Sequence, residues 1–100
     1  MKNFFHRITR GDTVYNLSEL YNISPLLIIA DNNLNDEPCE GDLIIIRNIK
    51  GLKKYIAGLS DDFESTAKKL GVKETDLRLL NPAPYIYVGQ TVYYQGEEND

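Results

Sequence analysis

The sequence has one cysteine, one histidine and no tryptophan among its 100 residues. Cys39 alone can form no internal disulfide, so covalent cross-links do not hold this fold together. Beside Pro38, it reads as a small apolar filler or a free surface thiol. His6 alone cannot build a multi-histidine metal site, and no Cys/His cluster accompanies it. No metal or cofactor is therefore expected. A nucleophile–base–orienter set is missing as well, so the sequence predicts a protein that is not an enzyme. Asp61 and Asp62 are neighbours at a helix start, which does not establish the opposed carboxylates of a glycosidase.

Positive charge is also scarce. The net charge is −4, and it is spread evenly. Residues 1–50 carry five basic and seven acidic side chains, and residues 51–100 carry six and eight. With no basic stripe to neutralise phosphates, nucleic acid is not an expected partner. Lys53–Lys54 and Lys68–Lys69 read as solvated surface pairs. The longest apolar runs, Leu26–Ala30 and Leu43–Ile46, are far too short to span a bilayer, so no membrane insertion is expected. The first residues are interrupted by His6, Arg7 and Arg10 before an apolar export segment forms. As written, the sequence predicts a soluble chain that stays in the cytoplasm. The exceptions would be membership of a spore, a phage particle or a longer exported chain.

What the chain does have is an internal repeat. Sliding residues 14–32 onto residues 63–81, an offset of 49, aligns Val14 with Phe63, Ile23 with Val72 and Ile28 with Leu77. Asp12 falls on Asp61, and Asn32 falls on Asn81. Each half closes on a glycine and an apolar run, Gly41 with Ile44 and Ile46, and Gly89 with Val92 and Tyr94. The closing offset is 48 because the second copy is one residue shorter in its loop. Such a period marks repeated small modules, here residues 4–47 and 52–95, followed by an acidic tail at 96–100. Units of this size bury little surface and sit near the lower limit for folding without metals or disulfides.

Periodicity predicts the same elements in each unit. Phe4–Thr9 reads as a strand ending at the Arg10-Gly11-Asp12 turn. Val14, Leu17, Ser18 and Tyr21 then mark one face of a helix, with Asp12 or Thr13 as its N-cap. Ser24-Pro25 starts a second helix, which carries Leu27, Ile28 and Ala30 and stops near Asn32-Asn33. Leu43–Ile46 is the closing strand. In the second unit, Lys53–Ala57 is a strand, and Asp61 with Glu64 has the spacing of a capping box. Phe63, Thr66, Ala67 and Leu70 face inward, and Gly71 ends that helix. Thr75–Leu80 forms the next helix, and Thr91–Tyr94 closes the unit. The expected class is α+β, two βααβ modules in tandem, each a two-stranded antiparallel sheet covered by two helices.

The sequence HRITRGDTVYNLSELYNIS, running into LLIIADNN and EGDLIII, resembles the LysM module. The matching positions are His6 to Ile8, Gly11-Asp12-Thr13, Leu17-Ser18, Asn32, and Gly41-Asp42 with Ile44 and Ile46. The second unit looks like a more divergent copy. It keeps Thr66-Ala67, Leu77, Asn81-Pro82 and Gly89-Gln90, and has Ser60-Asp61-Asp62 in place of the Gly-Asp-Thr turn. The resemblance implies non-catalytic binding of N-acetylglucosamine-containing glycans, peptidoglycan or chitin-type oligosaccharides. The sugar would lie in a shallow groove between the loop before the first helix and the loop after the second. Carried over by position, the first groove would use Gly11, Asp12, Thr13 and Val14 with Asn32, Asn33 and Leu34. The second would use Ser60, Asp61, Asp62 and Phe63 with Pro82, Ala83, Pro84 and Tyr85.

Other roles for these residues stay open at the level of sequence. Asp12 and Asp61 read first as N-caps, and Asn32 and Asn81 as residues that cap or turn the end of a helix. Tyr85, Tyr87, Tyr93 and Tyr94 either stack on sugar rings or cover the small core or an inter-module contact. The alternative function is a structural or protein–protein interaction module that uses the LysM fold without sugar binding. Such a module would serve as a spore-coat, phage-tail or cytoplasmic adaptor piece, with a protein partner or a homodimer.

Overall fold

The computed structural model describes residues 2–96, and the chain divides between Lys50 and Gly51 into two units. The expected acidic tail lies, from residue 97 onward, outside the described residues. In the first unit β1 (Lys2–Arg7) leads to α1 (Val14–Tyr21), α2 (Pro25–Asn32) and β2 (Leu43–Asn48). The second unit has β3 (Leu52–Ile56), α3 (Phe63–Leu70), α4 (Glu74–Leu80) and β4 (Thr91–Gln95) in the same order. The fold is thus α+β, with two βααβ modules of the expected architecture.

Each module pairs its two strands antiparallel. Phe4 stands opposite Ile46 and His6 opposite Ile44 in the first, and Tyr55 stands opposite Val92 in the second. Alternation along the strands sends Ile44 and Ile46 inward, where they are buried with Leu17, Ile23, Leu27 and Ile28. The second core is Ala57, Phe63, Ala67, Leu77, Ile86 and Val92, with Tyr55, Leu70, Val72 and Tyr94 packed against it. Each fully buried aliphatic or aromatic side chain contributes about 1.5–3 kcal/mol. Ala30, on the outer side of α2, is exposed.

Local chemistry sets the helix ends. Ser24 Oγ accepts from the Leu26 amide at 3.2 Å, and Pro25 sits in the first turn, where it lacks only an N–H that would be unpaired anyway. Asn22 and Gly71, at matching positions, both close a first helix in the left-handed region, with φ of 56° and 74°. The second helices differ. Asn33 closes α2 with φ 51°, whereas Pro82 follows α4 and Asn81 takes φ −132°. Strand ends also shift from expectation. Ladder pairing extends β1 back to Lys2 and stops it at Arg7, because Ile8 turns its amide to the Asp42 carbonyl at 2.8 Å.

Two side-chain devices bind helix to sheet. Asn32 Nδ2 donates to the Ile28 and Ile45 carbonyls at 2.9 and 3.0 Å, while its Oδ1 accepts from the Ile45 amide at 2.7 Å. Asn81 repeats this with Leu77 and Tyr93. In the first module Arg47 on β2 adds a two-pronged bond to Asp31 on α2, at 2.8 and 2.9 Å. Among the described residues no helix is long and apolar enough to cross a membrane.

Candidate functional site

In both modules the loop after the first strand is laced to the loop before the last. Ile8 donates to Asp42 and accepts from Gly41, each at 2.8 Å; Ala57 donates to Gln90 at 2.9 Å and accepts from Gly89 at 2.8 Å. The turn entering the first helix is then closed by a carboxylate that folds back on it. Asp12 Oδ2 accepts from the Thr9 amide at 2.9 Å, the Thr9 hydroxyl at 3.1 Å and His6 Nε2 at 2.9 Å. Asp61 Oδ2 accepts from the Gly58 amide at 2.7 Å and the Tyr55 hydroxyl at 2.6 Å, and Asp61 Oδ1 pairs with Lys69 at 3.0 Å. Gly11 supplies the left-handed step of the first turn, with φ 91°.

This geometry corrects the expected capping. Thr13, not Asp12, caps α1, its Oγ1 accepting from the Asn16 amide at 3.0 Å. Asp62, not Asp61, caps α3 and forms a reciprocal box with Ser65: Asp62 Oδ1 accepts from the Ser65 amide at 2.8 Å, and the Asp62 amide donates to Ser65 Oγ at 3.1 Å. The extended backbone at Thr13 and Asp62 turns each side chain toward the helix and leaves the preceding carboxylate facing the turn. Asp62 thus does what Thr13 does. Lys68 and Lys69 are both exposed as expected, and the Lys69 ammonium in addition bridges Asp61 and the Tyr55 hydroxyl.

The charges follow. Hydrogen bonds from Tyr55, then Gly58, then Lys69 hold the Asp61 carboxyl down at about 2. The Thr9 amide, followed by His6, lowers that of Asp12, and the Ser65 amide lowers that of Asp62. The Lys69 ammonium is raised, first by Tyr55 and then by Asp61. These carboxylates are paired anions that shape loops. The other ring nitrogen of His6 meets the Tyr21 hydroxyl at 2.7 Å, so this strand residue joins the turn to α1.

The facing loops differ between modules. In the first, Glu37 Oε1 accepts from the Val14 amide at 2.8 Å, joining the loop after α2 to the start of α1. In the second, Tyr85 stands at the position of Glu37, and its ring meets that of Tyr87 edge-on, with centroids 6.5 Å apart. The four tyrosines divide cleanly. Tyr93 is buried and Tyr94 packs on the core, while Tyr85 and Tyr87 are exposed.

The residues proposed from sequence therefore take three places. Val14 and Phe63 are buried in their modules, Phe63 within the second core and with the Arg78 guanidinium 4.3 Å from its ring centroid. Asn32 and Asn81 turn their amides inward to the closing strand, and Asp12, Thr13, Asp61 and Asp62 spend their oxygens on turns and caps. Gly11, Asn33, Ser60, Pro84 and Tyr85 are exposed, with Leu34, Pro82 and Ala83 half-buried. What such a rim can offer a ligand is backbone amide and carbonyl groups, a match for a neutral amide-bearing molecule. Glu37 and Leu59 had no place in the sequence reading, whereas Tyr87 stood there among the tyrosines able to stack on a sugar or to cover the core. Aligning the repeat at its closing offset sets Glu37 against Tyr85 and Cys39 against Tyr87, which was the available signal. Cys39 is exposed and unpaired. Among the described residues no group of three or more His, Cys, Asp or Glu is placed to hold a metal ion.

Comparison with known proteins finds a LysM domain at residues 6–37. No curated protein matches the chain. Among solved structures, the spore cortex-lytic enzyme SleL of Bacillus cereus is 23% identical at a TM-score of 0.47, the match covering 97% of this chain and 24% of that one. SleL of Bacillus megaterium QM B1551 is also 23% identical, at a TM-score of 0.48, over 95% of this chain and 23% of that one. The chain spans about a quarter of the length of these enzymes.

Proposed function

We propose that this chain, which carries a LysM domain over residues 6–37, binds N-acetylglucosamine-containing glycans of the peptidoglycan or chitin type without acting on them. The observation that carries the reading is the LysM domain, whose resemblance implies this ligand class. The loop geometry supports it. An N-acetyl sugar is neutral and presents an amide, hydroxyls and one methyl group, and the exposed loop positions such as Gly11, Asn33, Ser60 and Pro84 offer backbone groups to it. The oxygens of the nearby carboxylates are engaged by turn and cap donors, and a neutral ligand needs no cation to meet them.

Binding at one groove is weak, because each solvated hydroxyl gains only about 0.5–1.5 kcal/mol net per hydrogen bond. Two modules on one chain raise avidity on a polymer when both engage. The proposed modules are residues 4–47 and 52–95, and catalysis belongs to some other domain or chain. Co-sedimentation with insoluble peptidoglycan and chitin, with cellulose as the control, tests this. Retention on the N-acetylated polymers and not on cellulose is expected. Protein left in the supernatant with all three would sink the reading.

A further inference from the structure

We infer that the two modules bind unequally: the second, divergent module carries the tighter glycan site, on an apolar platform of Leu59, Tyr85 and Tyr87, while Glu37 latches the groove of the first. This rests on the glycan reading above.

The observation behind it is a set of matched positions with opposite chemistry. Arg10 and Leu59 correspond in the loop before the first helix, Glu37 and Tyr85 in the loop after the second, and Cys39 and Tyr87 beyond it. The second module therefore carries apolar side chains at these three positions, where the first has a guanidinium, a carboxylate and a thiol. They are not part of its core. Leu59 is 90% exposed, and Tyr85 and Tyr87 are each 65% exposed. The two loops are tied at Ala57 to Gly89 and Gln90, and Tyr87 is anchored by its amide to Gln90 Oε1 at 2.9 Å, so backbone bonds hold the ring's attachment point. Edge-on at 67°, the Tyr85 and Tyr87 rings leave faces open to an incoming group.

A pyranose ring has an apolar C–H face with its hydroxyls at the edge. It suits an exposed aromatic surface better than a charged one. The entry turn of this module is also held ready by Asp61, Tyr55 and Lys69, so little ordering remains on binding.

The first module lacks the platform, and one of its backbone donors is taken. Glu37 holds the Val14 amide at 2.8 Å. A neutral acetyl carbonyl seeking that N–H must displace a carboxylate, the stronger acceptor. No carboxylate stands at the corresponding position of the second module, which is Tyr85.

The test is a ¹H–¹⁵N titration of the intact chain with a chitin tetramer, following each module's own amides. Shifts at 60–63 and 85–88 should saturate at about three- to tenfold lower tetramer concentration than shifts at 11–14 and 33–37. Tyr85→Ala with Tyr87→Ala should remove that advantage while leaving the Leu77 and Val92 amides in place, since both tyrosines are exposed. Glu37→Ala should tighten the first module. Equal affinities, or a first module that saturates earlier, would overturn the inference while the glycan reading stands. So would a tyrosine double variant that binds unchanged, or a Glu37→Ala variant that weakens the first module. Silence of both loop pairs up to millimolar tetramer would overturn the glycan reading, and this inference with it.

Discussion

Asn81 grips both backbone groups of Tyr93: its Oδ1 accepts from the Tyr93 amide at 2.9 Å, and its Nδ2 donates to the Tyr93 carbonyl at 2.7 Å. The same Nδ2 reaches the Leu77 carbonyl at 2.8 Å, so one side chain finishes α4 and fastens it to β4. Asn32 does this for Ile45 in the first module.

Replacing Asn81 by leucine keeps the volume but strips the partners from Tyr93 in a buried site. An unpaired buried group costs about 1–3 kcal/mol, and the expected loss is about 2–4 kcal/mol for the second module. Asn32 is half-buried, so Asn32→Leu should cost the first module less. Urea unfolding read by amide exchange in each module would show this. Equal and small losses would mean that the clamp contributes little.

Acid should act on the second module through Asp61. Its carboxyl is held at about 2 against an ordinary 3.8, first by the Tyr55 hydroxyl. The unfolded chain therefore takes up the proton first as pH falls. The stabilisation is complete above the ordinary value and is lost as pH drops from about 4 toward 2. Tyr55→Phe should raise the pH at which the module loses stability, and Asp61→Asn should flatten that part of the profile. An unchanged acid midpoint in Tyr55→Phe would refute the assignment.

The matched helix ends give a pair of variants. Asn22 and Gly71 hold the same left-handed conformation. Gly71→Asn, the residue of the matched helix end, should cost less than about 1 kcal/mol, and Gly71→Ala should cost about 1–2 kcal/mol. Nothing lies within 4 Å of a Cβ placed on Gly71, so the cost would be backbone strain alone. Thermal melts of the two variants give the comparison.

Thr66 stands where the first module has Leu17, and its hydroxyl is buried with no hydrogen-bond partner. Thr66→Val keeps the shape and removes the unpaired group, so a gain of about 1 kcal/mol is expected. A loss in chemical denaturation would show that the hydroxyl has a role the structure does not reveal.

The elements were legible because their signals are local. The spacing of Val14, Leu17 and Ser18, and that of Phe63, Thr66 and Ala67, predicts one buried face per helix, and those residues are buried. Ser24-Pro25 announces a helix start with no reference to the rest of the chain. The capping of α1 was less legible. Asp12 and Thr13 are both good cap residues, and the choice depends on which one's backbone is extended at the helix entrance. That follows from where β1 delivers the chain, and spacing does not report it.

The candidate site was legible as a pair of loops and not as a set of contacts. The contact between Glu37 and Val14 joins residues 23 apart, and no local pattern predicts it. Sequence also treated Tyr85, Tyr87, Tyr93 and Tyr94 alike. Strand pairing and packing put Tyr93 and Tyr94 to structural use and left Tyr85 and Tyr87 on the surface.

By itself, the sequence determined the repeat, the α+β class and the order of elements, because hydrophobic period and turn chemistry act within a few residues. Tertiary structure alone decided which carboxylates close turns and which cap helices, and that the two asparagines face the sheet. It also decided which tyrosines remain exposed. Those outcomes depend on strand register and on groups distant in sequence meeting in space.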